Sequence, residues 1–98
     1  MTVVPILTDE AEADVDEAAV WYEGRLEKLG VDFVAEVRVA IESIATHPLL
    51  YAEVDRGLRR ASIRRFPYGV FYRVAEDKIF IVGVLHDRRD PSVWQKRL

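Results

Sequence analysis

The chain has no cysteine, which excludes disulfides and thiolate chemistry and suits a reducing compartment. It has two histidines and scattered acids, with no metal-ligand spacing and no glycine-rich phosphate loop. The longest apolar run, from Ile79 to Leu85, falls far short of the roughly 20 residues a membrane helix needs. The opening MTVVPILTDEAEAD has no basic region ahead of its apolar residues and turns acidic at once, so no signal peptide is expected. These absences predict a cytoplasmic protein with no cofactor, no metal and no membrane association. What remains is 98 residues, 50% hydrophobic and 32% charged, the composition of one globular domain spanning residues 1–98.

The formal net charge of −3 conceals an asymmetry. Residues 1–54 hold three Lys/Arg against twelve Asp/Glu, giving −9, and residues 55–98 hold eleven against five, giving +6. The basic part can meet phosphate or an acidic protein partner, although the whole-chain pI of about 5.4 suggests neither. Acids on helices and arginines on a solvated strand face are the plainer alternative.

The hydrophobic spacing predicts the order β-α-α-β-β-β, an α+β fold with a helical hairpin on a small, mainly antiparallel sheet. Residues 3–7 (VVPIL) form a strand, and Pro5, which cannot donate to a ladder, puts it at an edge. Thr8 or Asp9 caps a helix carrying Val15, Ala18, Ala19, Tyr22, Leu26 and Leu29 at helical spacing, with Gly30 as its stop. A second helix carries Phe33, Val37, Ala40, Ile41 and Ile44 and ends near His47, because Pro48 disfavours helical geometry before it. A loop runs through Tyr51 to Gly57. Leu58 to Phe66 then alternates, Ala61 and Ile63 on one face and Arg60, Ser62 and Arg64 on the other. Tyr68 to Val74 and Ile79 to Leu85 form a hairpin around the polar turn 75–78. Both faces of the last strand are apolar, which places it inside the sheet, with the helices over one face and the C-terminal tail over the other.

Metal-independent RNA cleavage needs a base for the 2′-hydroxyl, an acid for the leaving oxygen and cations on the phosphate. His86 can act as either near neutrality, and Arg88 and Arg89 can grip phosphate in forked contacts. A histidine ending a strand is equally a structural hydrogen-bonding group, and His47 before Pro48 reads as a helix-end residue. The arginines Arg59, Arg60, Arg64, Arg65 and Arg73 can line a target surface. Asp87 and Asp90 are placed to pair with Arg88 and Arg89. Trp94 packs on the fold or stacks a base, and Tyr68 and Tyr72 read as core.

Read in order, the helix opening Ala13-Asp14-Val15 with Trp21-Tyr22, then Leu29-Gly30 and Phe33, Ile44 with His47-Pro48, Arg65-Phe66-Pro67-Tyr68, Phe71-Tyr72, and Leu85 to Pro91 (LHDRRDP) resemble the RelE/ParE superfamily of bacterial toxins. The resemblance covers nearly the whole chain. It implies the toxin of a type II toxin-antitoxin system, held in a hetero-oligomer by a cognate antitoxin and acting on ribosome-bound mRNA or on DNA gyrase. Against the RelE-type nuclease pattern, Arg60 and Arg88 match basic positions. Ser62, Gly69 and Trp94 stand where a second basic residue, an arginine and a tyrosine are expected. Trp94 cannot exchange a proton at neutral pH, and the pattern favours the ParE-like branch.

The expected target-binding residues are therefore Arg60, Arg64, Arg73, Arg88, Arg89 and Trp94. The expected antitoxin-binding residues are Trp21, Tyr22 and Tyr51, rings that so short a chain need not bury alone. The alternatives are a ribosome-dependent endoribonuclease using His86, Arg60 and Arg88, and an interaction module without toxicity.

Overall fold

The structure, a computed structural model, describes residues 3–97. Along them run β1 (Ile6–Leu7), α1 (Asp9–Arg25), α2 (Leu29–Thr46), β2 (Glu53–Asp55), β3 (Leu58–Ser62), β4 (Tyr68–Ala75), β5 (Lys78–His86) and α3 (Ser92–Gln95). One mixed sheet has the order β1-β5-β4-β3-β2, with β1 parallel to β5 and the other neighbours antiparallel. The α1–α2 hairpin covers one face. This is the expected α+β arrangement with two small additions: β2 inside the expected loop, and the single-turn helix α3.

The element boundaries have local causes. Thr8 Oγ1 accepts from the Ala11 N–H at 3.1 Å, and Asp9, Glu10 and Glu12 fill the first turn of α1, where the helix dipole favours negative charge. His47 caps the end of α2, just before Pro48. Gly30 is not the stop expected of it. Helix α1 ends at Arg25, the chain turns through Lys28 at φ 71°, and Gly30 is the second residue of α2. A Cβ there would strike the Ala19 carbonyl oxygen and meet Glu23 at 3.0 Å, so glycine lets the two helices cross at backbone contact. Glu23 ties the same turn, accepting from the N–H groups of Lys28 at 2.7 Å and Gly30 at 3.0 Å.

Only Ile6 and Leu7 of the expected first strand pair, with Phe80 and Ile81, and β1 is an edge strand as Pro5 requires. Likewise β3 stops at Ser62, four residues before the expected end, so its alternation does not reach Arg64.

The main core lies between the helices and the sheet. Ala18, Phe33, Val37 and Ile44 meet Ala61, Val70, Tyr72, Ile79, Ile81 and Val84 there. A second apolar cluster, Leu58, Phe71, Val82 and Leu85, lies outside it under Val93 and Trp94 of α3. Strand β5 thus sits inside the sheet with both faces covered, the far one by the C-terminal segment. Gly83 opposes Phe71 and Ile81 opposes Tyr72, so Val82 is the extra residue of a bulge, and it joins the second cluster.

Strand β1 pairs no further than Ile81, and a clasp takes over from there. Asp14 Oδ2 accepts from the Val84 N–H at 3.0 Å and from Arg97 Nη1 at 2.6 Å. Arg97 Nη1 also donates to the Val82 carbonyl at 3.2 Å.

Candidate functional site

On the sheet face away from the helices, Arg60 sits opposite Phe71 in register, with its guanidinium 5.8 Å from the ring centroid. The Phe71 ring stacks on Trp94 at 5.5 Å, so Trp94 packs on the fold. Arg60 Nη1 donates to Ser62 Oγ at 3.1 Å, and Nη2 forms an ion pair and hydrogen bond with Asp87. Beneath it lies Gly69. A Cβ at that position would meet Arg60 Cζ at 2.7 Å and Nη2 at 2.8 Å. The glycine is therefore the floor on which the guanidinium rests. Gly69→Ala is expected to displace Arg60 from Asp87 while the strand pairing persists, visible as a shift of the Arg60 Nε–Hε NMR signal.

Arg73 lies on the same face, opposite Leu58 and Phe80, and its Nε is buried with no hydrogen-bond partner among the described residues. Arg64 lies past the end of β3 and lines a groove with Glu36, Val39 and Ser43 of α2, so it is not grouped with Arg60. Arg59 points to the helix side, where Nη1 donates to the Tyr51 carbonyl at 2.6 Å. Arg65 pairs with Asp32 at 3.6 Å. Arg88 and Arg89 are exposed in the turn after β5. The pairing expected of that turn is different in the structure. Asp87 takes Arg60 rather than Arg88. Asp90 accepts from the Ser92 N–H at 2.9 Å rather than holding Arg89, and that N–H, followed by the Ser92 hydroxyl, keeps its carboxyl below the ordinary aspartate range.

His86 ends β5 in register with Tyr68, their ring centroids 5.2 Å apart. Its Nδ1 accepts from the Arg88 N–H at 3.0 Å, which leaves Nε2 as the protonated nitrogen of the neutral ring. Tyr68 and Phe71 are three positions apart on a regular stretch of β4 and so face opposite ways. Hence His86 shares the helix-side face while Arg60 occupies the other, and Arg88 is exposed in the turn between them.

Instead, His86 opens into a cleft of about 460 Å³, walled by Asp14, Glu17, Trp21 and Tyr22 of α1 and by Tyr68, with Arg89 at its rim. Burial raises the Tyr68 hydroxyl above the ordinary tyrosine pKa, reinforced by Tyr22 and opposed by Arg89. This cleft escaped the sequence reading. Its one local signal is the 14, 17, 21 spacing, which lays two acids and a tryptophan along one helical stripe.

Trp21 is 53% exposed and Val20 beside it 73%. Tyr22 is half-buried, its ring 5.0 Å from Trp21 and 5.3 Å from Phe33. These two rings belong together at the cleft. Tyr51 lies elsewhere, its hydroxyl 2.6 Å from Ser43 Oγ and its ring edge-on to Tyr72. No helix among the described residues is long and apolar enough to cross a membrane.

A family described as the ParE toxin of type II toxin-antitoxin systems, parDE, matches residues 6–91. No curated protein sequence matches the chain. Among solved structures, a chain of a chromosomal ParDE TA system from P. aeruginosa superposes with a TM-score of 0.77 at 18% identity, over 87% of this chain and 96% of that one. At that identity the likeness is one of fold. The family match runs from β1 to the turn before α3. The chain belongs to the ParE toxin family of type II toxin-antitoxin systems.

Proposed function

We propose that this ParE-family toxin acts in the bacterial cytoplasm by binding a protein target, for which DNA gyrase is the candidate the family resemblance implies, and that a cognate antitoxin neutralises it in a hetero-oligomer. The supporting observation is the split of the chemistry-bearing side chains. Arg60 is held by Asp87 on one face and His86 opens on the other, an arrangement suited to contact. RNA cleavage needs base, acid and phosphate cation around one scissile bond. On this reading Arg60, Arg73, Arg88, Arg89 and Trp94 serve the target. Trp21 and Tyr22 anchor the antitoxin at the cleft, and Tyr51 supports the loop before β2. The fold likeness to a chain from a ParDE system is consistent with an antitoxin partner.

The test is to induce the protein alone and follow DNA topology and transcript integrity side by side. Relaxed or broken DNA with intact transcripts is expected. Cut transcripts support the endoribonuclease instead, and unaffected growth an inactive interaction module. His86→Gln sharpens the contrast. It is expected to keep toxicity within about fivefold, since removing one hydrogen-bonding group costs on the order of 1 kcal/mol. A general acid or base contributes roughly 10² to 10⁴ in rate, so a folded variant with no toxicity points to the nuclease. Arg60→Ala is expected to weaken growth inhibition, and Arg64→Ala, on a different groove, to leave it unchanged.

A further inference from the structure

We propose that the face carrying Arg60 is a docking surface for a short acidic segment of a partner protein, and that Asp87 occupies in the free toxin the place one of that segment's carboxylates takes in the complex. The inference rests on the reading of this face as a binding surface. Arg60 is more than a solvated strand arginine. Its guanidinium lies on the bare backbone of Gly69 and beside Phe71, and is held to Ser62 and Asp87. Its side chain is 26% exposed. A planar fork held in one orientation is preorganised for a carboxylate, and the group now in that seat is a carboxylate. Asp87 is suited to leave, being 47% exposed and on the turn after β5. Exposed ion pairs are worth only about 0.2 to 1 kcal/mol.

Two further features define the partner. Arg73, diagonal to Arg60 across the β3–β4 pair, has no acidic partner among the described ion pairs, so a second carboxylate can be met a residue or two along an extended segment. The charge imbalance favours protein over nucleic acid. A long polyanion would also meet the helices, whose half of the chain carries −9, whereas a short acidic segment need touch only this face.

The test titrates the full-length toxin with a short oligoglutamate peptide and, in parallel, with oligothymidylate of the same length, both at physiological salt and read from the Arg60 Nε–Hε NMR signal and by calorimetry. Asp87→Asn is expected to bind the peptide up to about fivefold tighter than the parent, the upper end of what losing an exposed ion-pair competitor implies. In an Arg60→Gln background the same change is expected to gain little. Should Arg60→Gln fail to fold, Arg60→Lys keeps the charge, loses the fork and serves as the background. An equal gain with and without Arg60 would mean a general charge effect and overturn the proposal, as would no gain at all. Tighter binding of oligothymidylate than of the peptide would replace the acidic protein with nucleic-acid phosphate. Growth inhibition of the same variants is scored separately. A toxic protein with no Asp87 effect sinks only this proposal, and a clear Asp87 effect in a harmless protein sinks only the toxin reading.

Discussion

Phe33→Ala is expected to cost about 3 to 5 kcal/mol, a large share of the roughly 5 to 15 kcal/mol that holds a domain of this size folded. Phe33 has no exposed surface and is the hub of the aromatic layer between helices and sheet. Its ring centroid lies 5.3 Å from Tyr22, 5.2 Å from Phe66 and 5.0 Å from Tyr68. Truncation removes the transfer free energy of a phenyl ring and leaves a cavity walled by three rings. Those rings are themselves fixed by packing, so collapse into the hole is limited. Each kcal/mol moves the midpoint of a domain this small by about 4 to 8 °C. Thermal unfolding of the variant should therefore show no cooperative transition, or one lowered by on the order of 15 °C or more. Phe33→Leu, which keeps most of the volume, should lose less than half as much. A Phe33→Ala protein that melts within a few degrees of the parent would mean that the aromatic layer repacks freely.

The second large effect is expected at Asp14. Its side chain is 12% exposed and that of its partner Arg97 is 16%. Asp14→Ala strips Arg97 of its main acceptor and the Val84 N–H of its side-chain partner. Breaking a largely buried pair from one side costs about 3 to 5 kcal/mol, and the residual exposure places this one near the lower end. Arg97→Ala is expected to be milder, because Asp14 keeps the Val84 N–H. The ordering of the two variants in denaturant midpoints is the check, and an Arg97→Ala protein less stable than Asp14→Ala contradicts it. The hydrogen bond to Asp14 holds Arg97 above the ordinary arginine pKa, against the opposing pull of burial. A cation whose folded pKa is raised contributes stability that is present below its unfolded pKa and lost only above it. For arginine that window covers the working range, so mild alkali should leave this contribution intact.

The sequence carried most of the fold because its signals are local. The Thr8 cap, the Pro48 stop, Pro5 at an edge and the two apolar faces of β5 each depend on residues close together in the chain. Gly30 misled for a physical reason. Glycine ends helices and also permits close helix crossings, and only the position of Ala19 on the facing helix separates the two roles. Gly69 posed the same ambiguity. By resemblance it was an arginine lost, whereas in space it is room made for the head of Arg60. The site was less legible because its contacts are long-range. Nothing near Asp87 in the chain announces Arg60, 27 positions earlier, and Arg88 and Arg89 were the nearer and more obvious partners. The cleft joins α1 to the end of β5, and its walls are recognisable only once the sheet has placed His86 beside Tyr68.

The position of β5 also bears on how the protein is made. Strand β1 pairs with Phe80 and Ile81, and the strands β3, β4 and β5 that α1 and α2 cover all follow Thr46 in the chain. During synthesis β2, β3 and β4 can pair with one another under α2, but α1 lacks its main partner in the sheet until β5 emerges. At about 5 to 20 residues per second that wait lasts on the order of a few seconds. Throughout it, the sheet-facing side of α1, with Ala11 and Ala18, faces water or whatever chaperone or partner protein is at hand, and the loop closed at the end is long, which slows the final step.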